Sequence, residues 1–271
     1  MTFQPVVPIG GFAGWAFLQR TEVAQTAAFD ASPVMTRETD YFAQNIGKVK
    51  TAEDLVSDRT LLKVALGAFG LEDDIDNKAF IAKILDEGVI DGGALANKLS
   101  DKRYYEMAKA FGFDLGTPST VLSTFPDEIT SAYRTRQFEA AVGAQDQDMR
   151  LAMGLSRDLT AIAERTVSND AKWFQIMGNA PIRQVFETAF NLPASFGTID
   201  LDQQLEVLKA RAVQAFGSDD VAQFAEDGGQ EELVRRFFAL SEIQAAGPVA
   251  SSGSVALSLL QAAPVAPLVE I

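Results

Sequence analysis

The feature that most limits the fold is a short sequence that recurs four times and has the character of a helix end. An Ala-Phe pair followed by Gly or Asn closes four stretches with apolar periodicity. The copies are LGAFGL at 66–71, KAFGFDL at 109–115, TAFNLP at 188–193 and QAFGS at 214–218. Gly, and less often Asn, adopts the left-handed backbone conformation that ends many α-helices, and a hydrophobic residue beyond it packs back over the last turn. The recurrence predicts helix stops with Phe buried in the last turn, and not a ligand-binding loop.

Helix starts are equally visible along the chain. Thr51 with Asp54 three residues on has the form of a capping box, and Ser168, Asn179 and Asp200 each precede a stretch with helical periodicity. Strand-like alternation is scarce, so the sequence predicts an all-α fold, a compact multi-helix bundle. The glycines expected at the left-handed position after a helix are Gly70, Gly88, Gly112 and Gly217.

The periodicity also predicts two long helices. One runs over 52–69 without a break, and the other, over 145–166, is expected to be the longest of the chain and central to its second half. The apolar seam of the second helix consists of Ala152, Leu155, Leu159, Ile162 and Thr166. Alternating steps of three and four residues make this seam narrow, which is typical of packing inside a bundle.

The sequence predicts reused helix–loop–helix units, because the order of start, helix, Ala-Phe stop, loop and second helix recurs with drifting spacing. We predict an N-terminal helical lobe at 1–117, a C-terminal helical lobe at 118–246 and a flexible tail at 247–271. The tail is rich in Pro, Ser and Gly, only Glu270 is charged, and its stretch 255–262 is apolar. Such a segment either docks on its own domain or is held for a partner.

An excess of acidic residues argues against two classes of partner. The chain has 23 Lys and Arg against 37 Asp and Glu, a formal net charge of −14. Binding to nucleic acid or to an anionic membrane surface relies on clustered basic residues, and no such cluster is present. No stretch approaches the roughly 18 apolar residues of a membrane-spanning helix. The segment 6–18 lacks the basic run and cleavage site of a secretory signal. We therefore predict no nucleic-acid partner, no direct membrane insertion and no cleaved signal peptide.

The chain contains neither Cys nor His. Their absence removes disulfides, thiolate nucleophiles, Cys/His zinc sites and every Ser-His-Asp triad. The acidic loop 72–76 lacks the Gly of a calcium loop, and the Gly-rich segment 10–14 lacks the Lys of a phosphate-binding loop. We therefore predict no catalytic, metal-binding or cofactor-binding residue and no enzymatic activity. A pair of carboxylates meeting in space is the one catalytic alternative left.

The two ends of the chain are the candidate contact regions. An aromatic cluster around Trp15 either pins the N-terminal segment to the body or marks a docking surface, and the tail offers an apolar segment at the other end. The candidate partner-binding residues are Trp15, Phe17, Leu18, Leu257, Leu259 and Leu260. The sequence leaves the oligomeric state open.

Three long segments together resemble one bacterial protein family. They are DRTLLKVALGAFGLEDDIDNKAFIAKILDEGVIDGGALANKLSDKRYYEMAKAFGFDL at 58–115, AKWFQIMGNAPIRQVFETAFNLPASFGTIDLDQQL at 171–205 and EELVRRFFAL at 231–240. In this order they resemble the uncharacterised family called domain of unknown function 1217. Members of that family are commonly encoded near flagellar genes, so the resemblance implies a flagellum-associated role. It implies no catalytic or binding residue.

The resemblance and the composition together lead to one expected function and two alternatives. The expected function is that of a structural or assembly protein of the bacterial flagellum whose partners are other flagellar or export proteins. Its expected location is the bacterial cytoplasm or the flagellum, reached without a cleaved signal. The first alternative is a cytoplasmic export chaperone or adaptor, and the second is a carboxylate enzyme.

Overall fold

The structure is a computed structural model that describes residues 3–246, and within them the chain forms thirteen α-helices joined by short loops and 3-10 turns, with no β-strand. The helices are α1 (Gly11–Asp30), α2 (Pro33–Asn45), α3 (Ala52–Ser57), α4 (Arg59–Phe69), α5 (Lys78–Glu87), α6 (Leu95–Lys98), α7 (Arg103–Phe111), α8 (Phe125–Gly143), α9 (Gln147–Ala163), α10 (Asn169–Gly178), α11 (Ala180–Ala189), α12 (Leu201–Phe216) and α13 (Asp227–Ala246). The predicted all-α fold is confirmed.

The predicted helix starts are confirmed by their capping hydrogen bonds. The Asp54 N–H donates to the Thr51 hydroxyl at 3.1 Å, and the Thr51 N–H donates to the Asp54 carboxylate at 3.0 Å, which is the reciprocal pattern of a capping box. The side chains of Ser168, Asn179 and Asp200 each accept a backbone N–H from two or three residues further on. Each cap satisfies an N–H group that the first helical turn leaves without a partner.

The predicted stop at the end of α4 has the hydrogen bonds of a Schellman motif. Gly70 is left-handed with φ of 70°, and its N–H donates to the Gly67 carbonyl at 3.2 Å. The Leu71 N–H donates to the Leu66 carbonyl at 2.9 Å, and the Leu71 side chain is buried. The chain therefore reverses at Gly70 and folds Leu71 back over the helix end.

The end of α11 repeats this motif with an asparagine. Asn191 has φ of 51°, and its N–H donates to the Thr188 carbonyl at 2.9 Å. The Leu192 N–H reaches back to the Glu187 carbonyl at 2.8 Å. Helices α7 and α12 end more simply, with one hydrogen bond from a left-handed glycine to the carbonyl four residues earlier.

Gly88 differs from the prediction. Its φ is positive at 61°, but its ψ of −143° lies outside the left-handed helical region. The cause is a tertiary contact, because the Asp114 carboxylate accepts hydrogen bonds from the N–H groups of Val89 and Ile90 at 2.9 and 3.2 Å. A Cβ at position 88 would meet the Asp114 side chain at 1.9 Å, so the loop needs glycine there for space as well as for φ.

Three sequence-based expectations about helices and their ends are wrong. The helix predicted over 52–69 is two helices, because Asp58 is extended and caps α4. The helix predicted over 145–166 becomes α9, whose 17 residues are fewer than those of α1, α8 and α13. Phe69 and Phe216 are only partly buried, whereas Phe111 and Phe190 lie in the core.

The core is built around α4, α8 and α9, with α11 and α13 packed on the far side of α9. The seam residues Ala152, Leu155, Leu159 and Ile162 are buried, as predicted, whereas the fifth, Thr166, lies beyond the end of α9 and is exposed. A group of aromatic rings fills the second half of the core, with centroid separations of 5.0–6.2 Å and mostly edge-to-face geometry. Its members are Trp173, Phe186, Phe190, Phe216 and Phe224.

The packing of α4 on α8 crosses the predicted boundary between the lobes 1–117 and 118–246, and that division stays a prediction. The predicted tail, 247–271, lies outside the described residues. Among the helices of residues 3–246, none has both the length and the apolar character needed to cross a bilayer.

Candidate functional site

Helix α1 is apolar on its solvent side as well as on its core side. Trp15, Leu18 and Phe29 are buried, yet the opposite side of the helix also carries almost no charge, and Val23 on it is 84% exposed. This solvent side, called the α1 face below, consists of Ala13, Ala16, Phe17, Arg20, Val23, Ala24 and Ala27. A mostly apolar surface on the solvent side of a helix is typical of a contact site, so the α1 face is the main candidate for a protein contact.

The buried side of α1 is fixed against α13. The Trp15 and Phe238 rings lie 6.0 Å apart, and the Arg235 guanidinium lies 5.2 Å from the centroid of the Phe12 ring. A Cβ built on Gly11 would overlap the Glu242 carboxylate, so the two helices run antiparallel with the start of α1 close to the end of α13. This packing fixes which side of α1 faces solvent.

The segment before α1 lies alongside the same helix. The Val6 N–H donates to Gln25 Oε1 at 2.5 Å, and Gln25 Nε2 donates to the Val6 carbonyl at 3.2 Å. Gln145 Nε2 donates to the Pro5 carbonyl at 2.6 Å. The side chains of Gln25 and Gln145 thus provide the hydrogen bonds that backbone groups of this segment would otherwise lack. The side chains of Val6 and Ile9 are about half exposed, at 52% and 55%. Apolar side chains are therefore exposed on this segment as well as on the α1 face.

The residues predicted to bind a partner fall in three different places. Trp15 and Leu18 belong to the core, because they pack inward from α1. Phe17 is partly buried and lies on the α1 face. The other three, Leu257, Leu259 and Leu260, lie outside the described residues. Partner binding by these residues stays a prediction, and for Trp15 and Leu18 it would require α1 to move away from the core.

Sequence reasoning missed Val23 and Ala27 as surface residues. A helix with apolar residues on every side gives no periodic signal to show which side faces solvent. Gln25 is polar, which predicts an exposed position, yet its side chain is buried. Its amide is hydrogen-bonded to the backbone of Val6.

A polar cleft of about 590 Å³ lies between α2, α4 and α8. At its base Lys63 Nζ lies 2.5 Å from Glu38 Oε1, and the Tyr133 hydroxyl donates to Glu38 Oε2 at 2.6 Å. Burial, followed by the hydrogen bond to Glu38, raises the pKa of Tyr133 above its usual value. Both Glu38 oxygens are thus engaged, and the network ties three helices together.

A second, larger groove of about 850 Å³ lies between α7, α8 and α9, beside the end of α4. Its lining includes Phe69, Ala132 and Ala161 together with charged residues of both signs, Arg136 and Arg157 among them. Phe69 is thus the one aromatic residue of the four helix stops that lines this groove.

The acidic loop after α4 has a structural role. The Asp74 carboxylate accepts hydrogen bonds from the Asn77 side chain and the Tyr104 hydroxyl, and Asp76 forms an ion pair with Arg59 at 2.8 Å. Within residues 3–246, no three His, Cys, Asp or Glu side chains are grouped as a metal site requires.

Comparison with known proteins places the chain in a family. A family model described as protein of unknown function, DUF1217, matches residues 68–228, more than half of the chain. The chain belongs to this DUF1217 family. The resemblance inferred from the three sequence segments is thereby confirmed.

A crystal structure of another protein is similar to this fold. A protein from Agrobacterium tumefaciens, determined as a structural-genomics target, superposes with a TM-score of 0.70 at 28% sequence identity. The alignment covers 89% of this chain and 99% of the other. None of the curated proteins matches the chain.

Proposed function

We propose that this protein is a non-enzymatic structural or assembly protein of the bacterial flagellum that acts through protein–protein contacts at the α1 face. The observation that carries the contact is the apolar solvent side of α1, with Val23 84% exposed. The flagellar context comes from the DUF1217 family, whose members are commonly encoded near flagellar genes. The partners are accordingly other flagellar or export proteins.

The size of the α1 face supports a contact that extends beyond this helix. Twenty residues of helix span about 30 Å, so the face offers on the order of 300 Å². Burying that area contributes roughly 7 kcal/mol before the entropic cost of association. A stable interface usually buries about 800 Å² on each partner. The α1 face alone is therefore smaller than such an interface, and Val6 and Ile9 are further exposed apolar side chains in the segment before the helix.

The charge distribution restricts the chemistry of the partner. Arg20 is the only charged residue of the α1 face, in a chain of net charge −14. A partner that presents an apolar helix flanked by basic residues would bury the face and be attracted by the surrounding acidic surface.

The test introduces charged residues at exposed apolar positions. The double variant Val23→Asp with Ala27→Asp places two charges on the α1 face, and Val213→Asp is the control because Val213 is 50% exposed on α12. We expect the double variant to keep its melting temperature and to lose both motility and co-purification of flagellar proteins from flagellated cells. The control should keep both. Full motility and unchanged co-purification of the double variant would contradict the proposal.

Two further measurements concern the role and the tail. Protein found in isolated basal bodies or in the culture supernatant identifies a flagellar component, whereas a purely cytosolic pool identifies an export chaperone or adaptor. Removing residues 247–271 should abolish partner pull-down or motility, and unchanged behaviour in both assays would remove the tail from the contact.

A further inference from the structure

The groove between α7, α8 and α9 combines apolar lining residues with a guanidinium that has no ionic partner within residues 3–246. Phe69, Ala132 and Ala161 line the groove together with Arg136 from the middle of α8. Arg136 Nε donates to the Ala68 carbonyl at 2.9 Å, which helps to cap the end of α4. Within residues 3–246, no carboxylate lies within ion-pair distance of Arg136.

Two other arginines of the groove, Arg157 and Arg165, are paired with carboxylates. Arg157 Nη1 lies 2.5 Å from Glu139 Oε1, and Arg157 Nε lies 3.0 Å from Asp158 Oδ1. At the far end of the groove Arg165 Nη2 lies 2.6 Å from a carboxylate of α7, that of Glu106. Arg157 and Arg165 therefore have carboxylate partners, whereas Arg136 has none within residues 3–246.

The environment of Arg136 is unfavourable for a positive charge. Burial lowers the pKa of its guanidinium, and the neighbouring positive charge of Arg157 lowers it further. Two arginines donate hydrogen bonds to carbonyl groups at the end of α4. Arg103 donates to the Gly70 carbonyl, and Arg136 donates to the Ala68 carbonyl through its Nε alone. The terminal nitrogens of Arg136 make no hydrogen bond within the described chain, and Arg136 is one of the residues that line the groove.

We propose that this groove binds a carboxylate group carried on an apolar body, with the terminal nitrogens of Arg136 donating two parallel hydrogen bonds to the carboxylate oxygens. The planar guanidinium matches a carboxylate in this bidentate geometry. The apolar body of the ligand would lie on Phe69, Ala132 and Ala161. The carboxylate could belong to a free organic acid or to an acidic side chain of a partner protein, and both present the same group.

A carboxylate fits the groove better than a phosphate. Glu128 and Glu164 also line the groove, and neither forms an ion pair within residues 3–246. These negative charges repel a phosphate dianion more strongly than a monovalent carboxylate. The apolar lining residues of the groove add affinity only for a ligand with a hydrocarbon part.

The first experiment follows the arginine side-chain Nε–Hε signals of the full chain by NMR. Sodium hexanoate, sodium acetate and inorganic phosphate are the probes. We expect hexanoate to shift the Arg136 signal saturably at millimolar concentration, and to bind about tenfold more tightly than acetate because of its hydrocarbon chain. Equal affinity for acetate, tighter binding of phosphate, or no saturable shift would each overturn the proposal.

The second experiment separates the groove from the fold. Ala161 is exposed on α9, so Ala161→Glu adds a competing carboxylate without removing a native contact, and Ala161→Gln is its uncharged match. We expect Ala161→Glu and Arg136→Gln to weaken hexanoate binding about tenfold or more. Ala161→Gln should bind more tightly than Ala161→Glu, and Arg235→Gln on α13 should bind like the wild type. Equal binding by Ala161→Glu and Ala161→Gln would overturn the assignment, whatever the stability of Arg136→Gln.

The source of the carboxylate is distinguished by a third measurement. A peptide that carries a single Glu between Leu residues and has blocked termini is compared with hexanoate on the same Arg136 signal. Tighter binding of the peptide assigns the groove to a partner's acidic side chain, and tighter binding of hexanoate assigns it to a free organic acid. Binding of neither probe would overturn the proposal.

Discussion

Helices α4 and α11 begin and end with the same chemistry, but their final aromatic residues have different surroundings. Each begins at an Asx cap, Asp58 or Asn179, and each ends in a Schellman motif around Gly70 or Asn191. Helix α4 packs at the centre of the molecule against α8, and α11 packs against α13 and α9. The shared ends show that a few local residues suffice to start and stop a helix.

The difference lies in what surrounds the Phe of each stop. Phe190 is 3% exposed, and its ring lies 5.5 Å from that of Phe186 and 6.2 Å from that of Phe216. Phe69 is only partly buried and lines the groove beside Arg136. The local motif sets the direction of the chain, and the tertiary neighbours decide whether its aromatic residue becomes core or surface.

Alanine at the two Phe positions gives the largest expected contrast. Phe190→Ala should lower the free energy of unfolding by about 3–4 kcal/mol, because it removes a ring from a close-packed aromatic group. Phe69→Ala should cost about 1 kcal/mol, since part of its ring already faces the groove. Urea denaturation of both variants measures the difference. Equal losses would contradict the distinction between core and groove.

The two stops should also respond in opposite directions to a change of the left-handed residue. Gly70→Val should cost roughly 1–2 kcal/mol, because a β-branched residue disfavours φ of 70° and its Cβ would lie 3.1 Å from Arg136 Nη1. Asn191→Gly should stabilise by up to about 0.5 kcal/mol, since it relieves left-handed strain but increases the entropy of the unfolded chain.

Thermal and urea unfolding of these two variants check the prediction, with Gly217→Ala as the control. Gly217 is left-handed too, but a Cβ there would meet no atom within 4 Å, so this variant isolates the backbone cost from crowding. If Gly70→Val lowers the free energy of unfolding by no more than Gly217→Ala does, then neither Arg136 nor the β-branch adds a penalty.

The sequence was sufficient for the local part of this architecture. Helix caps and stops depend on residues within one turn of each other, so the sequence pattern predicts them. Examples are the caps at Thr51, Ser168 and Asn179 and the stops at Gly70 and Asn191. The break at Asp58 was missed, because the run 52–69 is full of good helix formers. Asp58 accepts hydrogen bonds from the Thr60 and Leu61 N–H groups and from the Tyr41 hydroxyl, the last from a residue 17 positions away.

The candidate surfaces were less accessible to sequence reasoning. The N-terminal region was correctly singled out as apolar, but Trp15 and Leu18 were named where Val23 and Ala27 face solvent. Nothing local distinguishes Arg136 from the other arginines of the groove. Whether an arginine has a carboxylate partner depends on which acidic residues other helices bring to it, and that is a tertiary property.

The smallest expected effect concerns the two caps, which differ in charge. Burial raises the pKa of Asp58, but the hydrogen bonds from Tyr41, Leu61 and Thr60 outweigh it, and the pKa lies below the usual value. A carboxyl whose pKa is lower in the folded state stabilises the protein above its unfolded pKa, about 3.9, and that contribution is lost as the pH falls through the folded value. Asn179 does not titrate, so acid should weaken the start of α4 and leave the start of α11 unchanged.

Exchanging the two caps tests this difference. Asp58→Asn keeps an N-cap residue but removes the titration, and Asn179→Asp adds one. Between pH 6 and pH 3 the wild type should lose about 0.5 kcal/mol more stability than Asp58→Asn, a small amount because the Asp58 carboxylate is largely solvated. Asn179→Asp should lose more than the wild type over the same range. Amide hydrogen-exchange protection factors at Leu61 and Ile182 locate each change, because intrinsic exchange itself slows in acid. A loss of protection in acid at both positions of the wild type would show that the acid response does not arise at the caps.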